Sequence, residues 1–274
     1  MIIKTNGGLS VLSAFVDGIG SAVSIDMPMY THINKSEYDM MDNEVIRNTV
    51  NIFRSRFNIN HHYEIKIDSR IPEAMGLKSS SAMTLSIIYG LLKLNSINID
   101  DNEILKISAE ISMENKTSIT GAMDDLSSCF YGGLAITDNS NFHLLHRNKL
   151  EKYNIIVAYS NAYKKTYDIR NINFRAYIKY QKRLELLLNG NNIFETMVLN
   201  GYLFASLFNY NMNIINFFLN SGAIFSGFSG KGPAIFAIFD SERDMLRSFN
   251  NFKFKDYNII KSSINNDGIN IIKS

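Results

Sequence analysis

The segment from residue 72 to residue 82, PEAMGLKSSSA, places a glycine, a lysine and three serines directly before an amphipathic helix. The apolar residues that follow recur at helical spacing: Met83, Ile87, Ile88, Leu91 and Leu92. Unpaired N–H groups and the positive end of the dipole at a helix N-terminus attract anions. The segment therefore predicts a loop-to-helix phosphate site, although a helix with an ordinary serine cap has the same pattern.

This segment differs from a Walker A loop, which requires Gly-x-x-x-x-Gly-Lys followed by Ser or Thr. Gly76 has no glycine five residues before it, and the other Gly-Lys pair, at 230–231, is followed by Gly232. A P-loop NTPase is therefore not predicted. The sequence SGKGP at 229–233 instead forms a second glycine-rich loop between two apolar runs, where the backbone can approach a ligand closely.

Acidic residues supply a third group of candidates. Glu114 lies near the end of a predicted helix, and Asp124 and Asp125 lie in a turn that contains glycine. One carboxylate of such a set can hold magnesium while another accepts a proton from a substrate hydroxyl. Asp124 could also cap a short helix, because aspartate is a favoured N-cap residue, and the two roles are compatible.

Strand-like and helical patterns alternate along the chain, which is typical of an α+β protein. Strands are predicted at 21–33, 62–69, 134–136, 154–159, 223–228, 234–239, 258–263 and 269–272. Helices are predicted from the serine run at 79, from 100, over 170–218 and over 241–250. Because the pattern restarts near residue 150, we expect two halves, 1–150 and 151–274.

The composition argues against several classes of protein. The 274 residues are 46% hydrophobic with a formal net charge of +2, so neither a disordered chain nor a nucleic-acid-binding protein is predicted. The single Cys129 excludes an intrachain disulfide and favours the cytoplasm. No apolar run reaches the roughly 20 residues of a membrane span. We therefore expect a cytoplasmic protein without nucleic-acid or membrane partners, and its oligomeric state stays open.

Three segments occur in the order found in the GHMP kinase superfamily: the phosphate loop, the acidic turn and the second glycine-rich loop. The chain resembles this superfamily over essentially its whole length. The family's phosphate loop, Pro-x-x-x-Gly-Leu-Gly-Ser-Ser-Ala, is matched except that Lys78 replaces the second glycine and Ser81 the alanine. Its Ser-Gly-x-Gly-Pro loop is matched at 229–233, and its acidic turn with a following Gly-Gly is matched at 121–133. The resemblance implies a transferase that uses ATP and Mg²⁺. It also implies an N-terminal mixed α/β domain and a C-terminal ferredoxin-like α/β domain with the active site in the cleft between them.

Within the superfamily, the sequence resembles the archaeal shikimate kinases most. That group carries Gly-Leu-Lys-Ser-Ser-Ser-Ala in the phosphate loop, as residues 76–82 do, and Thr-Gly-Ala-x-Asp-Asp in the acidic turn, as residues 120–125 do. Residues 18–26 are similar to the group's Gly-x-Gly-Ala-Ala-x-x-Ile-Asp pattern, apart from Ser21. The resemblance implies ATP-dependent phosphorylation of the 3-hydroxyl of shikimate, a step of aromatic amino-acid biosynthesis.

The resemblance also implies roles for particular residues. Mg²⁺ would be held by Ser80, or Ser79, together with Glu114, and Glu110 is a nearby alternative to Glu114. Residues that would bind ATP are Pro72, Gly76, Leu77, Lys78, Ser79, Ser80, Ser81, Ala82, Ser229 and Gly230.

The same resemblance leaves two positions for the catalytic base, Asp124 and Asp125. Counting forward from Gly121 favours Asp124, and counting back from Gly132 favours Asp125. We prefer Asp125 slightly, because it pairs better with Glu114.

Three alternatives keep this fold. Homoserine kinases usually carry His-x-Asp-Asn in the acidic turn, and mevalonate kinases usually carry His-Gly before it, whereas this chain has AMDD at 122–125. A non-catalytic ligand-binding member is disfavoured by the intact carboxylates and phosphate loop.

A substrate carboxylate would require a cationic partner, for which Arg170 and Arg175 are candidates.

Overall fold

A computed structural model describes residues 1–160, 169 and 172–273. The strands in this part are β1 (Ile2–Leu12), β2 (Ile19–Ser36), β3 (His62–Ser69), β4 (Leu134–Asp138), β5 (His143–Asn148), β6 (Asn154–Ser160), β7 (Phe225–Phe228), β8 (Ile235–Phe239), β9 (Tyr257–Ser263) and β10 (Asn270–Lys273). The α-helices are α1 (Glu44–Phe57), α2 (Ser79–Leu94), α3 (Asp101–Glu114), α4 (Met123–Tyr131), α5 (Ile178–Asn189), α6 (Ile193–Phe208), α7 (Asn213–Asn220) and α8 (Glu242–Asn251). A 3₁₀ helix, Phe174–Tyr177, precedes α5. In the described part of the chain, none of the helices combines the length and apolar character needed to cross a bilayer.

The strands form two antiparallel sheets. The first has the order β10-β1-β2-β4-β5, and the long strand β2 pairs with β4 through residues 19–23 and with β3 through residues 29–36. The second has the order β7-β8-β6-β9. The second sheet thus begins at β6, close to the expected seam, while β10 returns to the first sheet. The division into 1–150 and 151–274 stays a prediction.

A continuous apolar core joins the two sheets. Leu9 and Leu126 of the first half belong to the same buried cluster as Val157 and Phe236 of the second sheet. Burial of this apolar surface is the main stabilising contribution to such an arrangement. The glycine-rich loops of both halves lie where the sheets meet, so the core fixes their relative position.

Most predicted elements are confirmed, and β1, α1 and β5 are elements that the sequence analysis does not predict. Strand β3 has the bounds expected for 62–69, and β7 and β8 flank the second glycine-rich loop. Strand β5 has largely exposed side chains and therefore no apolar pattern, whereas the buried residues of α1 do recur at helical spacing. The expected helix over 170–218 is divided into the 3₁₀ helix, α5, α6 and α7, with Asn209 in a left-handed conformation at the end of α6.

Residues 265–269 form a strap that holds the carboxyl end of α4. The Gly133 N–H donates to the carbonyl of Asn265 at 2.7 Å, and the Ile269 N–H donates to the carbonyl of Phe130 at 3.0 Å. A Cβ on Gly268 would lie only 1.9 Å from the Phe130 carbonyl oxygen. Only glycine therefore allows the strap to pass this close to the helix.

We expect Gly268→Ala to lower the free energy of unfolding by roughly 2–3 kcal/mol, because a backbone oxygen cannot move aside as a flexible side chain can. Urea unfolding measures the effect. Gly190→Ala is the control, since this exposed glycine would place a Cβ no closer than 3.2 Å to its neighbours and should change stability by less than about 0.5 kcal/mol. Wild-type stability in Gly268→Ala would contradict the close packing of the strap.

Candidate active site

The phosphate loop, residues 72–78, leads into α2 without a side-chain cap. Lys78 precedes the helix with a left-handed backbone (φ 71°, ψ 21°), and its side chain makes no capping hydrogen bond. The prediction of a serine cap is therefore wrong: Ser79, Ser80 and Ser81 lie inside the first turn, because Lys78 makes the turn into the helix. A helix N-terminus in this state has N–H groups free of a cap and is suited to an anion.

The residues of this loop divide into exposed and buried sets. In the first turn of α2, Ser80 is exposed and Ser79 is partly buried. Leu77, Ser81 and Ala82 are buried, and the Leu77 carbonyl accepts a hydrogen bond from the Gly8 N–H at 3.2 Å. The hydrogen bond of Leu77 holds the loop against β1, and Pro72 lies partly buried at the start of the loop.

The structure brings the two predicted glycine-rich loops into contact. The Ser229 hydroxyl donates to the Gly76 carbonyl at 2.8 Å and accepts from the Ser10 N–H at 3.1 Å. A Cβ on Gly76 would lie 3.0 Å from the Ser229 carbonyl oxygen, and one on Gly230 would lie 2.7 Å from Ser10 Oγ. Both glycines are thus required for the close approach of the loops and β1. The assignment of Ser229 and Gly230 to ATP binding stays a prediction.

The side chain of Lys78 crosses from the phosphate loop to α4. Its Nζ lies 2.6 Å from Asp125 Oδ1 and donates a hydrogen bond to Ser10 Oγ. The side chain is 7% exposed. Burial disfavours the ammonium ion, but the charges of Asp125 and Asp124 outweigh it and raise the pKa of Lys78. The lysine is therefore charged at neutral pH and neutralises Asp125.

Both aspartates lie in the first turn of α4. The helix is preceded by Ala122, which has a left-handed backbone (φ 53°) and supplies no side-chain cap. The suggestion that Asp124 is the N-cap is therefore wrong, since Asp124 is already inside the helix. The positive end of the helix dipole favours carboxylates in this turn. The two side chains have different partners: Asp125 pairs with Lys78, whereas Asp124 accepts a hydrogen bond from Asn139.

Asp124 is almost completely buried, with 6% of its surface exposed. Asn139 Nδ2 donates to its Oδ1 at 2.9 Å, and a Cβ on Gly20 would lie 2.8 Å from its Cγ. Burial, with a further contribution from the charge of Asp125, raises the pKa of Asp124 to about 7, while Lys78 and Asn139 act in the opposite direction. Asp124 therefore changes charge near neutral pH.

We expect Asp124→Asn to stabilise the protein at pH 8 more than at pH 5. The pKa of Asp124 is about 7 in the folded state against an ordinary value of 3.8 for an aspartate. Between these two pH values, the folded protein therefore holds a proton that the unfolded chain has released. The free energy of unfolding of the wild type thus falls as the pH rises across this range, by roughly 2–4 kcal/mol from this group. Urea unfolding at both pH values measures this change, with Asp68→Asn, at an exposed position of β3, as the control. A stability difference independent of pH would contradict the raised pKa.

Glu114 is the last residue of α3 and is exposed. The alternative, Glu110, forms an ion pair with Arg56 at 2.6 Å, so its carboxylate is already partnered. Among the described residues, no three His, Cys, Asp or Glu side chains are grouped closely enough to hold a metal ion. Glu114 is therefore not joined with Asp124 and Asp125 in one cluster, and the roles of Ser80 and Glu114 at magnesium stay predictions.

Several residues at this site had no motif to reveal them. The loop between β1 and β2 is held by polar residues of the second half: the Ser13 N–H donates to Asn200 Oδ1 at 3.1 Å, and Gln181 Nε2 donates to Asp17 Oδ1 at 3.3 Å. Asn200 and Gln181 are buried. A polar residue in line with the apolar residues of a helix's buried face is the signal that could have identified them.

Two arginines, Arg170 and Arg175, are the candidates for binding a substrate carboxylate. Arg175 is exposed on the 3₁₀ helix. Arg170 lies outside the described residues.

Comparison with known proteins identifies the family. Residues 44–133, which include the phosphate loop and the acidic turn, match the model of the GHMP kinases N terminal domain. A shikimate kinase of Thermoplasma acidophilum is 35% identical over 97% of this chain and 96% of its own length. The chain belongs to the GHMP kinase family. A shikimate kinase of Pyrococcus furiosus is 27% identical over 86% of this chain and 90% of its own length.

Solved structures agree with this GHMP kinase assignment. A crystal structure of mevalonate kinase has a TM-score of 0.75 at 17% identity and covers 97% of this chain and 100% of its own. A homoserine kinase from Cytophaga hutchinsonii has a TM-score of 0.72 at 18% identity, covering 99% of this chain and 97% of its own. The predicted GHMP kinase fold is therefore confirmed. As a kinase of this family, the protein uses ATP and a small-molecule substrate.

Proposed function

We propose that this protein transfers the γ-phosphoryl group of ATP to the 3-hydroxyl of shikimate, giving shikimate 3-phosphate and ADP in the cytoplasm. The chemistry is supported by one observation above all, the contact of Lys78 of the phosphate loop with Asp125 of α4 at 2.6 Å. This contact joins an anion-binding helix terminus to a carboxylate that can receive a proton. The substrate is supported by similarity along nearly the whole chain to proteins named shikimate kinase.

The residues present fit ATP and magnesium. The N-terminus of α2 has no side-chain cap from Lys78 and presents Ser79 and the exposed Ser80. Mg²⁺ prefers hard oxygen ligands and usually keeps several waters, so it needs no cluster of three carboxylates when phosphate oxygens are present. Ser80 and Glu114 would hold the ion. Ser229 would support the loop from behind, because its hydroxyl is bonded to Gly76 and Ser10.

Phosphoryl transfer depends mainly on alignment and on neutralising charge. When bound, MgATP supplies the phosphoryl group and part of that neutralisation. Asp125 would orient the acceptor hydroxyl and receive its proton as the oxygen–phosphorus bond forms and the bond to ADP breaks. Lys78 would compensate the charge of Asp125 in the free enzyme and the negative charge on the transferred group during the reaction.

The two halves would contribute different parts of the site. Residues 1–150 would supply the phosphate loop and both aspartates. Residues 151–274 would supply the second glycine-rich loop and the polar contacts of Gln181 and Asn200 to the β1–β2 loop. Arg175 is a candidate partner for the substrate carboxylate, because it is an exposed guanidinium and can bind a carboxylate through two hydrogen bonds.

A coupled ADP-release assay with shikimate, homoserine and mevalonate in parallel tests this proposal. We expect the largest kcat/KM with shikimate. Greater turnover of homoserine or mevalonate would overturn the substrate. Failure to bind MgATP in calorimetry would overturn the catalytic role and support a non-catalytic ligand-binding protein.

A further inference from the structure

Asn139 connects three elements of the site through its backbone and side chain. It directly follows β4 and is 2% exposed. Its N–H donates to the Gly18 carbonyl at 2.8 Å, which ties it to the β1–β2 loop. Its Nδ2 donates to Asp124 Oδ1 at 2.9 Å and to Thr120 Oγ1 at 3.2 Å. Asn139 thus links the loop, the acidic turn and the first turn of α4.

Thr137 determines which way the Asn139 amide faces. Its buried hydroxyl donates to Asn139 Oδ1 at 2.7 Å. In this orientation the amide N–H groups point to Asp124 and Thr120, and all three groups are satisfied. A flipped amide would place its oxygen against the Asp124 carboxylate, which is unfavourable when that carboxylate is charged. The network therefore matches the ionised form of Asp124.

We propose that Asn139 is a positioning residue for the phosphoryl-transfer site: held by Thr137, it fixes the Asp124 carboxylate beside Asp125 and stabilises its charged form. An ionised Asp124 adds a second negative charge in the first turn of α4, beside the carboxylate proposed as the base, so turnover should depend on the charge of Asp124. This inference concerns the same site as the proposed kinase activity and rests on it for its catalytic consequence.

The groups near Asp124 indicate in which direction the loss of Asn139 should change the pKa of Asp124. In the described part of the site, the charges that influence it are Asp125 on the same helix and Lys78 on the phosphate loop. The Cys129 thiol, also on α4, is buried, and burial raises its pKa, so it stays uncharged. The β1–β2 loop and β2 present Ala14 and Gly20, which are uncharged. The hydrogen bond from Asn139 lowers the pKa of Asp124, so its removal should raise that pKa above neutral.

The test is the pH dependence of kcat/KM for shikimate in Asn139→Leu and Thr137→Val. Loss of a hydrogen bond to a charged group should move the acid limb of the Asn139→Leu profile to higher pH by about one to two units. Thr137→Val keeps the Asn139 amide but removes the hydroxyl that orients it. This variant should move the acid limb to higher pH too, by less than Asn139→Leu does. Asn141→Leu is the matched control, since it removes an exposed amide–carboxylate hydrogen bond to Asp138 and should leave the limb in place.

A merely structural role would lower kcat equally at all pH values and leave the limb unmoved. That result in both variants, or a shift to lower pH, would overturn the proposal. The pH dependence of urea unfolding without substrate is a second readout, in which the decline of stability with rising pH should extend to higher pH in Asn139→Leu. If the wild type does not phosphorylate shikimate, the proposed function fails and this unfolding titration still decides the role of Asn139. If Asn139→Leu does not fold, Thr137→Val decides it.

Discussion

Asp125→Asn is expected to lower kcat by roughly 10²–10⁴, the range for loss of a general base. Asparagine has nearly the same shape and preserves the first turn of α4, but it cannot accept a proton. Because the change removes a negative charge near the phosphate loop, binding of MgATP should not weaken. Steady-state kinetics with ATP and shikimate varied separately should therefore show a lower kcat without a higher KM for ATP.

Asp124→Asn is the matched comparison for this variant. It changes the neighbouring carboxylate, which is buried and has no ion pair with Lys78 of the kind seen for Asp125. We expect a smaller loss than for Asp125→Asn. A larger loss in Asp124→Asn would transfer the role of base to Asp124, and near-wild-type turnover in both variants would remove the assignment from both.

Lys78→Met is expected to lower kcat by roughly 10²–10³, the effect of losing one donor that stabilises charge in a transition state. The variant leaves Asp125 and Asp124 close together without their cation. This excess negative charge should also raise the KM for ATP. Rates and MgATP affinity measured by calorimetry test both effects, and Lys106→Met on the exposed face of α3 serves as the control.

Lys78→Gly separates the charge of Lys78 from its backbone conformation. The left-handed φ of 71° is unfavourable for lysine and easy for glycine, so Lys78→Gly should keep the loop conformation while removing the ammonium group. If the charge is what matters, both variants lose turnover. Wild-type turnover in Lys78→Gly would show that Lys78 has no electrostatic role in the reaction.

The sequence was sufficient for elements and motifs whose determinants are local. The alternating pattern of β3 and the apolar runs of β7 and β8 are periodic signals that lie within single segments. The order of the phosphate loop, the acidic turn and the second glycine-rich loop was sufficient to recognise the family. Helix α1, by contrast, was not predicted, although its buried residues recur at helical spacing.

The arrangement of the carboxylates could not be predicted in the same way. Adjacent aspartates in one sequence look equivalent, yet the fold pairs Asp125 with Lys78 and buries Asp124 against Asn139. Asn139 lies 15 residues from Asp124 and belongs to no motif. Its role depends on the antiparallel pairing of β4 with β2, which brings the end of β4 next to the β1–β2 loop.

By itself, the sequence determined the family, the fold class and the three segments that carry the chemistry, because these depend on residue types at fixed spacing along the chain. The tertiary structure alone decided which charges meet. Lys78, a departure from the glycine of the wider family pattern, proves to be the cation of Asp125, and the glycines of both loops prove to be required for contact between the loops. Electrostatic and packing energies depend on distance and burial in space, and those are known only once the halves of the chain have been brought together.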